Sequence, residues 1–193
     1  VVRWIPNALS GIRVALVPLW LVLAFLARER ALEGESVSTF WPLFVFIALG
    51  ATDVADGWIA RRFRLQSNLG ATLDAVADKL AQIATVTFLV WLPSAAFGSL
   101  PVWLWGVLVV RDGLLGAGYL WIYLQHRAVE VEHRWHGKVS SLLLFAAIAA
   151  AIARVPQPFV VAASVAATVM IVPGTVAYLI AGSRQLATAV PST

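Results

Sequence analysis

Six apolar stretches follow one another along the chain with only short polar connections between them, at about 8–27, 40–60, 70–92, 101–125, 138–154 and 158–181. About 20 apolar residues is what one helix needs to cross the hydrocarbon of a bilayer. The expected fold is therefore an all-α integral membrane protein of six transmembrane helices, forming a single domain over residues 1–193. Composition agrees: 61% of residues are hydrophobic and only 12% are charged. A water-soluble particle of this size cannot hide so much apolar surface. A soluble enzyme, a disordered chain and a nucleic-acid binder are excluded on that ground. The first stretch is not a cleavable signal, because it runs on through Leu19–Phe25 without an A-x-A-like site and carries Arg13. The first residue is Val1, which points to a lost initiator or a short leader.

The net charge of +4 reads as topology and attraction to anionic lipid. With the N-terminus in the cytoplasm, eight of the fourteen Lys and Arg residues fall on that side: Arg3, Arg61, Arg62, Arg64, Arg127, Arg134, Lys138 and Arg184. Arg28, Arg30 and Arg154 fall on the other, and Arg13, Lys79 and Arg111 lie within spans. That excess places both termini inside. The expected location is a membrane, with the chain passing it several times. The chain has no cysteine, so disulfides and thiolate metal sites are absent, and its nine Trp suit interfacial belts.

Four carboxylates sit where lipid-facing side chains are expected: Asp53 and Asp56 in the second stretch, Asp74 and Asp78 in the third. An Asp near the centre of a span costs about 2.5–3.5 kcal/mol on insertion scales. Four facing lipid would cost on the order of 10 kcal/mol, comparable to the net stability of a domain. They must instead face a polar cavity or lie near water. Spacings of i,i+3 and i,i+4 put each pair on one helix face. The short connection makes the two helices antiparallel neighbours, so the pairs meet at one end. Mutual repulsion is relieved either by protonation or by divalent cations. An all-oxygen donor set suits Mg²⁺, Mn²⁺ or Ca²⁺ and not Zn²⁺. Cations held there would make a diphosphate site. Gly57 and Ala60 allow close approach to the backbone, and Arg61 offers a fork-shaped donor for phosphate or an Asp.

Residues 53–78 read D-x2-D-G-x2-A-R-x8-G-x3-D-x3-D. This resembles the signature of the CDP-alcohol phosphatidyltransferase family at all eight fixed positions: Asp53, Asp56, Gly57, Ala60, Arg61, Gly70, Asp74 and Asp78. The run Pro6–Arg13 is similar to the family's N-x-L-T/S-x-x-R opening, and Leu73–Lys79 to its L-D-P-x-A-D-K run, with Ala75 in place of Pro. The resemblance implies the family's six-helix fold and transfer of a phosphatidyl group from CDP-diacylglycerol to an alcohol, with release of CMP. It implies two divalent cations, Mg²⁺ or Mn²⁺, held by Asp53, Asp56 and Asp74, with Asp78 beside them as general base. It implies CDP contacts from Gly57, Ala60, Arg61 and Gly70, with Asn7 and Arg13 in the same pocket. It also implies a homodimer whose active site opens to the cytoplasmic leaflet.

The acceptor is read from Arg111, Lys138 and Ser141. Arg111-Asp112 followed by an aliphatic run, then Lys138-Val139-Ser140-Ser141, resembles the family branch whose acceptor is phosphatidylglycerol and whose product is cardiolipin. The branch using glycerol 3-phosphate typically shows Arg-Glu and G-K-x-K-T, and its second Lys is missing here. Each residue also has a plainer role open to it. Arg111 pairs with an intramembrane Asp such as Asp112, Arg13 snorkels, Lys79 partners a carboxylate, and Lys138 marks a cytoplasmic loop. His133 and His136 lack a third ligand and read as solvated. A cation transporter with the aspartates as relays is the reading from another class.

Overall fold

The computed structural model describes residues 4–63, 68–124 and 135–187, and the side chains of residues 15–52, 79–118, 121, 137 and 139–180. These residues form six helices and no strand: α1 (Trp4–Leu32), α2 (Phe40–Phe63), α3 (Asn68–Trp91), α4 (Val102–Leu124), α5 (Trp135–Ile152) and α6 (Gln157–Ala187). Each apolar stretch of the sequence falls on one helix. Among the described residues, Gln157–Ile180 is long and apolar enough to cross a membrane. The apolar parts Phe40–Thr52, Lys79–Trp91 and Val139–Ile152 are shorter.

The chain divides into two compact units, one of residues 1–100 with 148–160, the other of residues 101–147 with 161–193. In the first, α1 packs on both α2 and α3. Trp20 and Phe25 of α1 meet Phe88 of α3 edge-to-face at 5.6 and 5.0 Å, and Phe97 continues the cluster at 5.9 Å from Phe88. Edge-to-face aromatic pairs add about 0.5–1.5 kcal/mol each beyond the area they bury.

Helix ends in this unit are closed by recurring local chemistry. α1 stops at Gly34, whose φ of 81° supplies the left-handed turn. There Glu35 N–H donates to Arg30 C=O at 3.0 Å and Gly34 N–H to Ala31 C=O at 3.2 Å. α5 stops the same way, with Val155 N–H on Ala150 C=O at 2.9 Å and Arg154 N–H on Ala151 C=O at 3.2 Å. Here the left-handed residue is Arg154, at φ 57°, where glycine is the usual choice. Its side chain accounts for its presence. Nε donates to Ala96 C=O at 2.8 Å and Nη2 to Val37 C=O at 3.1 Å. Gly98 N–H donates to Ala151 C=O at 2.8 Å, and Gln157 Nε2 to Ser99 C=O at 2.8 Å. The connections α1–α2, α3–α4 and α5–α6 are thereby tied together at one end of the unit.

The second unit buries Leu104, Leu108, Leu144, Ala147, Ala167 and Ile171. Its polar groups are satisfied locally. Ser140 Oγ donates to Gly137 C=O at 2.9 Å, and Thr168 and Thr175 donate to carbonyls one turn back at 3.0 and 2.9 Å. Along α6, Val161, Val165, Val169, Val172 and Val176 form an exposed apolar stripe at helical spacing.

Candidate functional site

The four aspartates lie in helix: Asp53 and Asp56 in the last half of α2, Asp74 and Asp78 in the first half of α3. Only residues 64–67 separate the two helices. The last half of α2 and the first half of α3 adjoin this connection. The side chains of the four aspartates lie outside the described residues.

On α2, Phe40, Phe44 and Ile47 are exposed, while Val45 and Leu49 are buried. Asp53 and Asp56 stand four and seven residues beyond Leu49 in the same helix. On α3, Leu80, Ile83 and Trp91 are exposed, while Thr85, Val86 and Leu89 are buried. Asp78 and Asp74 lie seven and eleven residues before Thr85.

On α1, Trp20, Ala24 and Ala27 are buried. The side chains of Asn7, Arg13, Gly57, Ala60, Arg61, Gly70 and Lys138 lie outside the described residues, as do His133 and His136.

Three buried N–H donors have no hydrogen-bond partner among the described residues: Trp20 Nε1 and Arg28 Nε on α1 and Gln82 Nε2 on α3. Sequence reasoning passed over Gln82. Its one signal was position, four residues beyond Asp78 and third in the series 74, 78, 82. As a donor set, four carboxylates supply oxygen alone, which fits hard divalent cations.

Arg111 of α4 belongs to the second unit. Its Nε donates to Asp112 Oδ1 at 2.8 Å, and Nη2 lies 2.7 Å from the same oxygen. The two side chains are only 13% and 15% exposed, so the anionic partner that a buried Arg requires is its own neighbour. Ser141 is exposed, whereas Ser140 is buried and bonded within its helix.

Residues 3–180 match the family model of the CDP-alcohol phosphatidyltransferases. The chain is similar to the cardiolipin synthase (CMP-forming) of Streptomyces coelicolor, 40% identical over 113 residues, which is 58% of this chain and 47% of the relative. It is also similar to CDP-diacylglycerol--glycerol-3-phosphate 3-phosphatidyltransferase 2 of Arabidopsis thaliana, 43% identical over 114 residues, 58% of this chain and 45% of the relative. The CDP-diacylglycerol--glycerol-3-phosphate 3-phosphatidyltransferase of Haemophilus influenzae is 27% identical over 134 residues, 69% of this chain and 67% of the relative. The chain spans about half the length of the Streptomyces and Arabidopsis relatives.

Proposed function

Because the chain belongs to the CDP-alcohol phosphatidyltransferase family, we propose that it transfers a phosphatidyl group from CDP-diacylglycerol to an alcohol and releases CMP. The observation that carries this is the D-x2-D-G-x2-A-R-x8-G-x3-D-x3-D pattern of residues 53–78, set on two successive helices, within a family match over residues 3–180. A cation pathway also needs acidic residues, but it needs neither the Gly57, Ala60, Arg61 and Gly70 spacing nor a family match over residues 3–180.

Asp53, Asp56 and Asp74 hold two divalent cations, Mg²⁺ or Mn²⁺, with Asp78 close beside them. When bound, such cations polarise the diphosphate and stabilise the departing CMP. Asp78 accepts the proton of the acceptor hydroxyl, a poor nucleophile until that proton leaves. Gly57, Ala60 and Gly70 leave room for the CDP backbone to lie close to the helices. Arg61, with Asn7 and Arg13, donates to its phosphates. The six helices span the inner membrane with this end toward the cytoplasm, and the protein works as a homodimer.

Phosphatidylglycerol is the favoured acceptor, giving cardiolipin, with contacts from Arg111, Lys138 and Ser141. Support comes from the Arg111-Asp112 and Lys138-Val139-Ser140-Ser141 runs and from the Streptomyces relative. Asp112 already balances Arg111, so the guanidinium brings little net charge, which suits a lipid monoanion better than a small dianion. Glycerol 3-phosphate is the second reading, favoured by the names of the Arabidopsis and Haemophilus relatives. One assay separates them. The purified chain receives CDP-diacylglycerol and Mn²⁺ with either acceptor, and CMP is measured. Release with phosphatidylglycerol alone is expected. Release with glycerol 3-phosphate alone transfers the assignment, and ion flux in proteoliposomes without CMP from either acceptor favours the transporter.

A further inference from the structure

We propose that the exposed aromatic rings at the tied end of the first unit are an anchor that seats this end in the headgroup zone of the bilayer. This rests on the membrane reading above. The large apolar side chains that the first unit exposes sort by their distance from the tied connections. Leu19, Val22, Leu26, Ile47, Leu80 and Ile83, further along α1, α2 and α3, are aliphatic. Phe25 is exposed there as well, and its ring lies against Phe88. Within about a turn of the connections stand Phe40, Trp41 and Phe44 of α2, Trp91 of α3 and Phe159 of α6, all more than half exposed. Leu32 of α1 is the one aliphatic beside them among the described residues. The first three rings are already assembled: Phe40 and Trp41 meet edge-to-face at 5.3 Å, and Phe44 lies 6.2 and 6.1 Å from them.

Hydrocarbon tails accept an aliphatic side chain as readily as a ring. The boundary between tails and water favours Trp, whose body is apolar and whose N–H is polar. These rings come from three helices, and what they share is their distance from the tied end, which is how a boundary sorts residues. The charges at this end cancel, with Arg28, Arg30 and Arg154 against Glu29, Glu33 and Glu35. The partner is therefore the headgroup zone of lipids in general and not an anionic lipid. Anchoring here also sets a depth. Asp53 lies twelve residues beyond Trp41 on α2, and Asp78 thirteen before Trp91 on α3. At a rise of about 1.5 Å per residue, both acidic turns are held within about 20 Å of the anchor, inside the far boundary of a hydrocarbon core about 30 Å thick.

The test is difference fluorescence of the full chain in phosphatidylcholine vesicles brominated either next to the headgroup or near the bilayer centre. Wild type is compared with Trp41→Phe and with Trp91→Phe. Each variant keeps a ring at an exposed position, and the difference isolates one indole among the nine Trp. Each isolated signal should be quenched at least about twofold more by the shallow bromines than by the deep ones. Raising the salt, or replacing part of the lipid with an anionic one, should leave that ratio unchanged. Stronger quenching by the deep bromines, or water-like emission that neither quenches, would overturn the proposal. Blue-shifted emission shielded from both bromines would give the rings to a second copy of the chain and overturn it equally. A chain that does not float with the vesicles removes the membrane reading and the anchor together, whereas one that floats with both indoles unquenched removes the anchor alone.

Discussion

Asp74→Asn changes one oxygen to an amide at nearly constant volume and removes one negative charge from α3. If Asp74 holds a cation, CMP formation from CDP-diacylglycerol should fall at least about 100-fold, because stabilisation of the developing phosphate charge depends on it. The variant should still insert and purify, since the repulsion among the carboxylates is reduced. Near-normal turnover would remove Asp74 from the site. The type and spacing of these residues were readable directly. Which face of α2 is buried was not, because a helix apolar all round carries no periodicity that separates a buried face from an exposed one. Exposure of Phe44 and Ile47 against burial of Val45 and Leu49 supplies that distinction for residues 40–52. Arg111 shows the converse. Its sequence favoured a substrate anion as partner, with Asp112 as the plainer alternative, and the structure pairs it with Asp112.

Among the elements, the end of α5 makes the sharpest demand on one residue. Arg154 holds a left-handed backbone while its guanidinium reaches Ala96 and Val37. A non-glycine residue costs roughly 1–2 kcal/mol in that conformation. Hydrogen bonds from a charged donor return about 1.5–3 kcal/mol each when shielded, and less for the exposed bond to Val37. Arg154→Ala keeps the strain and loses both bonds, so it should destabilise the protein by about 2–3 kcal/mol. Arg154→Gly loses the bonds but relieves the strain, and should recover about 1 kcal/mol of that loss. Thermal unfolding in detergent of both variants checks the order, and a glycine variant less stable than the alanine variant would contradict it. From sequence, Arg154 was only one of the few positive charges on the outer side. Its role depends on carbonyls contributed by two distant connections, which no local pattern records. The helices themselves were legible because long apolar runs allow little else.

For the molecule as a whole, the exposed valines of α6 and the exposed Phe40, Trp41, Trp91 and Phe159 leave apolar surface that water would not tolerate. The proposed six-span arrangement makes a topological prediction that the absence of cysteine renders clean to test. Ser36→Cys, in the α1–α2 connection, should react with an impermeant maleimide added to intact cells. Ser67→Cys, in the α2–α3 connection, should react only after permeabilisation. Labelling of both from the same side would contradict the arrangement. The most direct measurement of the central claim is anomalous diffraction at the manganese edge from crystals of the full chain grown with Mn²⁺ and a CDP-linked lipid. Two peaks about 3.5–4 Å apart, between the carboxylates of α2 and α3, are predicted. Divergent aspartate side chains with no peak among them would contradict it.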